Sequence, residues 1–128
     1  MQFSTALKAS KQPRKQRAYR RLAPLHIKQK LVGAHLSKTL REKYHIRSVS
    51  VRKGDKVIVM RGSHAKKTGT VDQVSLKDST VIISGITVTK KEGSSVPVAI
   101  AASKIMITDL NLDDKKRRAR IERNSHGK

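Results

Sequence analysis

Short β-branched runs separated by turn residues fill the middle of the chain. Lys56-Val57-Ile58-Val59-Met60 lies between Gly54-Asp55 and Gly62-Ser63, which predicts a short strand between turns. Thr70 to Leu76 alternates loosely, with Val71 and Val74 apolar, and Lys77-Asp78-Ser79 supplies a turn. Thr80-Val81-Ile82-Ile83-Ser84 reads as a strand ending at Gly85. Ile86-Thr87-Val88-Thr89 then alternates strictly, which puts Ile86 and Val88 on one face. A polar loop, 90–95, leads to Val96-Pro97-Val98-Ala99-Ile100, an edge strand because Pro97 has no N–H for a ladder. Ile105-Met106-Ile107 closes the series. Five or six short strands at this spacing predict a mainly β fold, a small antiparallel barrel or sandwich. Its expected core is Val57, Val59, Val71, Val74, Val81, Ile83, Ile86, Val88, Ile105 and Ile107.

The flanks have a different pattern. Residues 8–21, KASKQPRKQRAYRR, show no apolar periodicity and predict an extension that does not fold alone. Pro24 can open a short helix, since a first-turn N–H is unpaired anyway. Ser37 is the expected N-cap of a helix over Lys38 to Tyr44 that aligns Leu40 with Tyr44. Asp113 and Asp114, ahead of a basic run, predict a terminal helix through Arg123 that complements the helix dipole.

Charge sharpens this division. The formal net charge is +21 in 128 residues, a self-repulsion best relieved by a polyanion, with nucleic acid ahead of an anionic membrane surface. Residues 1–48 hold 13 basic side chains and one acid, Glu42. Residues 49–112 hold 10 basic and five acidic, and residues 113–128 hold seven basic and three acidic. The expected organisation is therefore a basic N-terminal extension with short helices (1–48), a barrel (49–112) and a basic C-terminal helix or tail (113–128). No apolar run approaches a membrane span, so no membrane insertion is expected. The start of the chain has no signal-peptide apolar core. Cysteine is absent, which removes disulfides and thiolate chemistry and agrees with a cytoplasmic protein.

Catalytic sets are missing. The loop RGSHAKKTG (61–69) ends in Lys67-Thr68 like a phosphate-binding loop, but the two positions that such a loop needs as glycine hold Arg61 and Lys66. A strand-like run follows it where a helix is required. Histidines 26, 35, 45, 64 and 126 have no metal-ligand spacing, so no metal is expected. Asp55 after Gly54 reads as a turn residue rather than a base, and no paired carboxylates suggest acid–base work. The chain is expected to be neither an enzyme nor a cofactor carrier. Its aromatics, Phe3, Tyr19 and Tyr44, all lie outside the strands, which removes the base-stacking platforms of single-strand readers. Lysines and arginines on arms and turn tips suit phosphate and 2′-hydroxyl contacts to folded RNA.

The run from Val51 to Val74 resembles a KOW motif: a Gly54-Asp55 turn, a strand, a glycine-bearing hairpin loop and a second strand. The blocks Ser10 to Arg17, Ala23 to His26, Leu36 to Tyr44 and Ile107 to Asp113 extend the resemblance. Together they resemble the family of large-subunit ribosomal proteins number twenty-four in its archaeal and eukaryotic form, with a short tail closer to the archaeal type. This covers roughly residues 8–123. The resemblance implies an SH3-like barrel and binding to the 5′ domain of large-subunit rRNA. It also implies a role in early subunit assembly, a place near the polypeptide exit and a cytoplasmic location.

Neighbouring large-subunit proteins are the other implied partners, and no homo-oligomer is expected. In the extension, the expected rRNA contacts are Lys8, Lys11, Arg14, Lys15, Arg17, Arg20 and Arg21, then His26, Lys28, Lys30, Lys38 and Arg47. In the barrel they are Arg52, Lys53, Arg61, His64, Lys66 and Lys67. Gly54, Asp55, Gly62 and Gly69 are the expected structural residues of the motif. Lys66 stands where the family commonly has glycine, so either a left-handed backbone there costs on the order of 1 kcal/mol or the loop adopts another turn. Two other binding readings share the composition: a transcription-associated KOW factor, which leaves residues 1–48 unexplained, and a basic chromatin protein that coats duplex DNA.

Overall fold

The computed structural model describes residues 2–126. A 3-10 turn at Thr5–Ala9 precedes α1 (Pro13–Leu22), α2 (Leu25–Leu31), β1 (Gly33–Leu36), α3 (Lys38–Tyr44) and β2 (Ser48–Ser50). The strands β3 (Lys56–Val59), β4 (Thr68–Ser75), β5 (Thr80–Thr89), β6 (Ser95–Ala101) and β7 (Ile105–Asp109) follow, and α4 (Lys115–His126) ends the fold. The strands form one seven-stranded sheet in the order β2-β1-β7-β3-β4-β5-β6. Every pairing is antiparallel except β1 with β7, which runs parallel through His35↔Met106 and Leu36↔Ile107. The fold is the expected mainly β, small barrel-like architecture with short helices.

Two of the three register shifts in the sheet curl it most directly. One in β4, between Val71 and Gln73, turns the strand from its pairing with β3 to its pairing with β5. The other, in β5, lies between Ile82 and Thr87 and contains Gly85. The expected strand break at Gly85 is therefore a kink within one ten-residue strand. The kink also breaks the predicted alternation: Ile86 is buried, but Val88 is 52% exposed on a hairpin that projects past the core. Val74 is half-buried and packs on the edge of the core. The other eight expected core residues are buried, joined by Val32, Ala34, Leu36, Val51, Ile100, Ala102, Leu110 and Ile121. Each fully buried Val, Leu or Ile contributes about 1.5–3 kcal/mol of burial free energy.

β1 and β2 were not expected. Their hydrophobic pattern is only four and three residues long, and His35 interrupts it. Ala34 and Leu36 nevertheless point inward, and the Ser37 N–H donates to the Ile107 carbonyl at 2.8 Å. The step in charge at residue 48 is thus not an edge of the hydrophobic core.

Residues 13–22 form a helix where an extended arm was expected, for local reasons. Pro13 occupies the first turn, and the Gln16 amide donates to the Lys8 and Ser10 carbonyls at 2.9 and 2.7 Å, fixing the preceding turn. Tyr19 is buried against Phe3, with ring centroids 5.3 Å apart. The helix stops because Ala23 precedes Pro24, which disfavours helical backbone there. Pro24 itself caps α2 from outside. Ser37 caps α3 as expected, accepting from the Leu40 N–H at 3.4 Å.

A buried ion pair fastens the two ends of the barrel together. Asp55 is wholly buried, and Arg117 of α4 donates to its two carboxylate oxygens at 2.6 and 2.7 Å. The same carboxylate accepts from the backbone N–H groups of Arg52 (2.9 Å) and Asn111 (3.0 Å). Arg117 also donates to the carbonyls of Asn111 and Ser50, at 2.7 and 3.2 Å. Gly54 allows the tight turn: its φ is +90°, and a Cβ there would lie 2.5 Å from Nδ2 of the Asn111 side chain. Removing one partner would strand the other charge in the core. Asp55→Ala should therefore lose about 3–5 kcal/mol in denaturant unfolding. Asp55→Ala combined with Arg117→Met should cost less than the sum of the single changes.

Candidate nucleic-acid interface

Basic side chains line the outside of the N-terminal helices with few acids to balance them. Lys8, Lys11, Arg14, Lys15, Arg17, Arg20 and Arg21 are all exposed, and the first acid in the sequence is Glu42. Arg14, Arg17 and Arg21 fall on one face of α1 by their three- and four-residue spacing. They span about 10 Å along the axis, at 1.5 Å per residue. The same three, with Lys15, line an open groove along the helix. His26, Lys30, Lys38 and Arg47 are also exposed.

Lys28 is placed differently from the other expected contacts. It is buried, and its ammonium donates to the Lys77 carbonyl at 3.3 Å, tying α2 to the β4–β5 turn. Arg52 is half-exposed and pairs with Asp114, while Lys53 is free at the turn. The Arg52 hydrogen bond, followed by the Lys116 backbone N–H, holds the Asp114 carboxyl below the usual carboxylate range, so it stays ionised at neutral pH.

The 61–67 loop is a hairpin connection between β3 and β4. Val59 N–H donates to the Lys67 carbonyl at 2.9 Å, and the Lys66 N–H donates back to Val59 at 2.7 Å. Arg61 is tethered to the Ser103 carbonyl at 3.0 Å, and the Lys67 ammonium sits 3.4 Å from His64 Nδ1. Arg61, Lys66 and Lys67 are exposed, and His64 is half-exposed. Gly62 lies at the exposed entry to the loop. Gly69, the second residue of β4, lies where the chain passes very close to β5: a Cβ there would lie 2.6 Å from both Ile83 Cγ2 and the Ser84 carbonyl. Lys66 has φ +70°, the left-handed conformation that a glycine adopts freely.

The structure adds a basic surface to which the sequence reading gave no contacts. Lys115, Lys116, Arg118, Arg120 and Arg123 are exposed on α4, which packs beside α3. The run KKRRAR (115–120) was the available signal. Arg117 is the buried member of that run and serves the Asp55 pair instead. Among the described residues, no group of three His, Asp or Glu side chains is arranged to hold a metal, and no helix is long and apolar enough to cross a membrane.

Residues 10–124 match the family model described as "Ribosomal proteins L26 eukaryotic, L24P archaeal". The large ribosomal subunit protein uL24 of Methanospirillum hungatei is 47% identical over 112 residues, covering 88% of this chain and 93% of that protein. The protein of the same name from Methanosarcina barkeri is 47% identical over 114 residues, covering 89% and 98% respectively.

The Lys66 geometry makes a simple stability comparison. Lys66→Gly relieves the left-handed strain but frees the unfolded chain, so thermal denaturation should show a change within about 1 kcal/mol. Lys66→Val, which is β-branched, should lose about 1–2 kcal/mol at the same position.

Proposed function

Because this chain belongs to that ribosomal-protein family, we propose that it is a structural, non-catalytic constituent of the cytoplasmic large ribosomal subunit that grips folded large-subunit rRNA through phosphate and shape contacts. The observation that carries the rRNA reading is that, among the described residues, no carboxylate pairs with the cations of residues 8–47. The ion pairs among the described residues are Arg52–Asp114, Lys56–Asp109 and Arg117–Asp55, and none involves residues 8–47. That many uncompensated charges on ordered helices fit a polyanion with a fixed shape.

In this reading residues 1–48 and 113–128 are RNA-facing elements around the 49–112 barrel. Arg14, Arg17 and Arg21 lie against one stretch of phosphates. Lys8, Lys11, Lys15 and Arg20 extend that contact, and His26, Lys30, Lys38, Arg47 and Lys53 continue it. Arg61, His64, Lys66 and Lys67 approach the RNA from the β3–β4 loop, and α4 adds its own exposed cations. Lys28 acts by holding α2 in place. The 5′ domain of the rRNA, a role early in assembly, a site near the polypeptide exit and contacts with neighbouring large-subunit proteins complete the proposal. The chain acts there as a single copy.

Binding to a 5′-domain rRNA fragment should fall by roughly 10³–10⁵ between 50 and 200 mM salt if about 6–10 phosphates are engaged. Deleting residues 1–21 should flatten that slope and leave barrel unfolding intact. A flat slope in the full chain, or sedimentation of the native protein outside the large-subunit peak, would contradict the reading.

A further inference from the structure

A second feature, distinct from the cationic helices, lies between α2, the β2–β3 turn and β4. It is an open groove of about 740 Å³, within the range of small-ligand sites. Its floor is apolar: Val32 and Val51 are buried, and Val74 and Leu76 are half-buried. Arg52 and Lys53 stand at its rim. We propose that this groove receives one unstacked nucleotide of the bound RNA, with guanine preferred; the inference rests on the RNA-binding reading above.

The groove is held open by specific ties. Lys28, buried along its stem, donates from its ammonium to the Lys77 carbonyl and fixes α2 over the β4–β5 turn. Ser50 adds a second tie, donating to the Gln29 carbonyl at 3.4 Å. On the opposite wall the β4 bulge makes Asp72 the extra residue, because Val71 faces Ile83 and Gln73 faces Ile82. Bulges re-aim side chains beside binding sites. Here Asp72 and Gln73 are both exposed and both line the groove.

The lining selects among bases. An ionised Asp72 offers two acceptor oxygens, and the amides of Gln29 and Gln73 each donate and accept. Guanine presents N1–H and N2–H₂ side by side, which matches a carboxylate, and its O6 beside them takes an amide donor. Uracil presents one N–H between two carbonyl oxygens, which a carboxylate repels. Lys53, exposed at the rim, is available for the nucleotide's phosphate, whereas Arg52 already pairs with Asp114, and the apolar floor lies under the ring. The groove has no aromatic side chain. It therefore reads a base edge by hydrogen bonds instead of gripping any base by stacking.

The full chain, labelled with ¹⁵N, would be titrated with guanosine 5′-monophosphate, uridine 5′-monophosphate, the pentamer UUGUU and the pentamer UUUUU. Backbone amides of residues 72–76 and Gln29 should shift with the guanine ligands, at affinities about tenfold above their uracil counterparts. UUGUU should bind more tightly than the mononucleotide because it adds phosphates. Asp72→Asn, at an exposed position, should bring guanine and uracil close to parity with the spectrum otherwise preserved. Equal shifts with guanine and uracil, or shifts confined to residues 8–21, would overturn the inference. A mononucleotide that outbinds UUGUU would also overturn it, by assigning the groove to free nucleotides. The salt slope with the rRNA fragment, measured on the same Asp72→Asn sample, separates the two proposals. An intact slope without guanine preference in the parent chain removes only this inference, while loss of the slope in the parent strikes the wider reading.

Discussion

Everything in this small barrel closes around one carboxylate. Asp55 has no exposed surface, and taking an ionised carboxylate out of water costs several kcal/mol even after relaxation. The cost is offset because four donors meet it: two from the Arg117 guanidinium and two backbone N–H groups. Those donors come from the β2–β3 turn, the loop after β7 and α4, so satisfying the charge brings two distant segments to the start of β3. Apolar burial alone specifies less about where a helix docks, because it is not directional. A bidentate guanidinium–carboxylate contact is directional. The same saturation leaves Asp55 with no free lone pair facing solvent.

The parts that were legible in the sequence are those whose signal is local. Ser37, three residues before Leu40, announces a cap, and Val57 with Val59 announces one buried face. The β3–β4 hairpin was legible from its glycines, whereas the left-handed conformation of Lys66 was one of two geometries left open there. Signals that depend on distant partners failed. Ala34 and Leu36 make a strand only because β7 lies beside them. Val88 follows Ile86 at strand spacing, yet the neighbouring bulge and the projecting hairpin leave it in solvent. Arg117 looks like any other member of KKRRAR. Its burial follows from sharing a helix face with Ile121, four residues on, which is the face that meets the barrel.

The candidate interface divides in the same way. Its cations were legible as composition, since nothing nearby in the sequence neutralises them. Their roles were not, because burial separates Lys28 and Arg117 from chemically identical neighbours. Those two bind carbonyl oxygens inside the protein and fix α2 and α4, while the exposed cations are carried on the helices so placed. The seven-stranded sheet thus carries two cationic surfaces, one on the N-terminal helices and one on α4.

The parallel contact between β1 and β7 has a consequence for the order of events during synthesis. His35 pairs with Met106, so translation makes one strand long before its neighbour exists. Until β7 emerges, β1 and β2 have no sheet to join, and the helices ahead of them have no fixed orientation. Pairings this distant in sequence are slow to form, and unpaired strands are exposed to misassociation in the meantime. A nascent chain therefore presents its most cationic segment first and anchors it last. Any polyanion that reaches the segment in that interval meets it before its final geometry is set, so capture and folding are in kinetic competition.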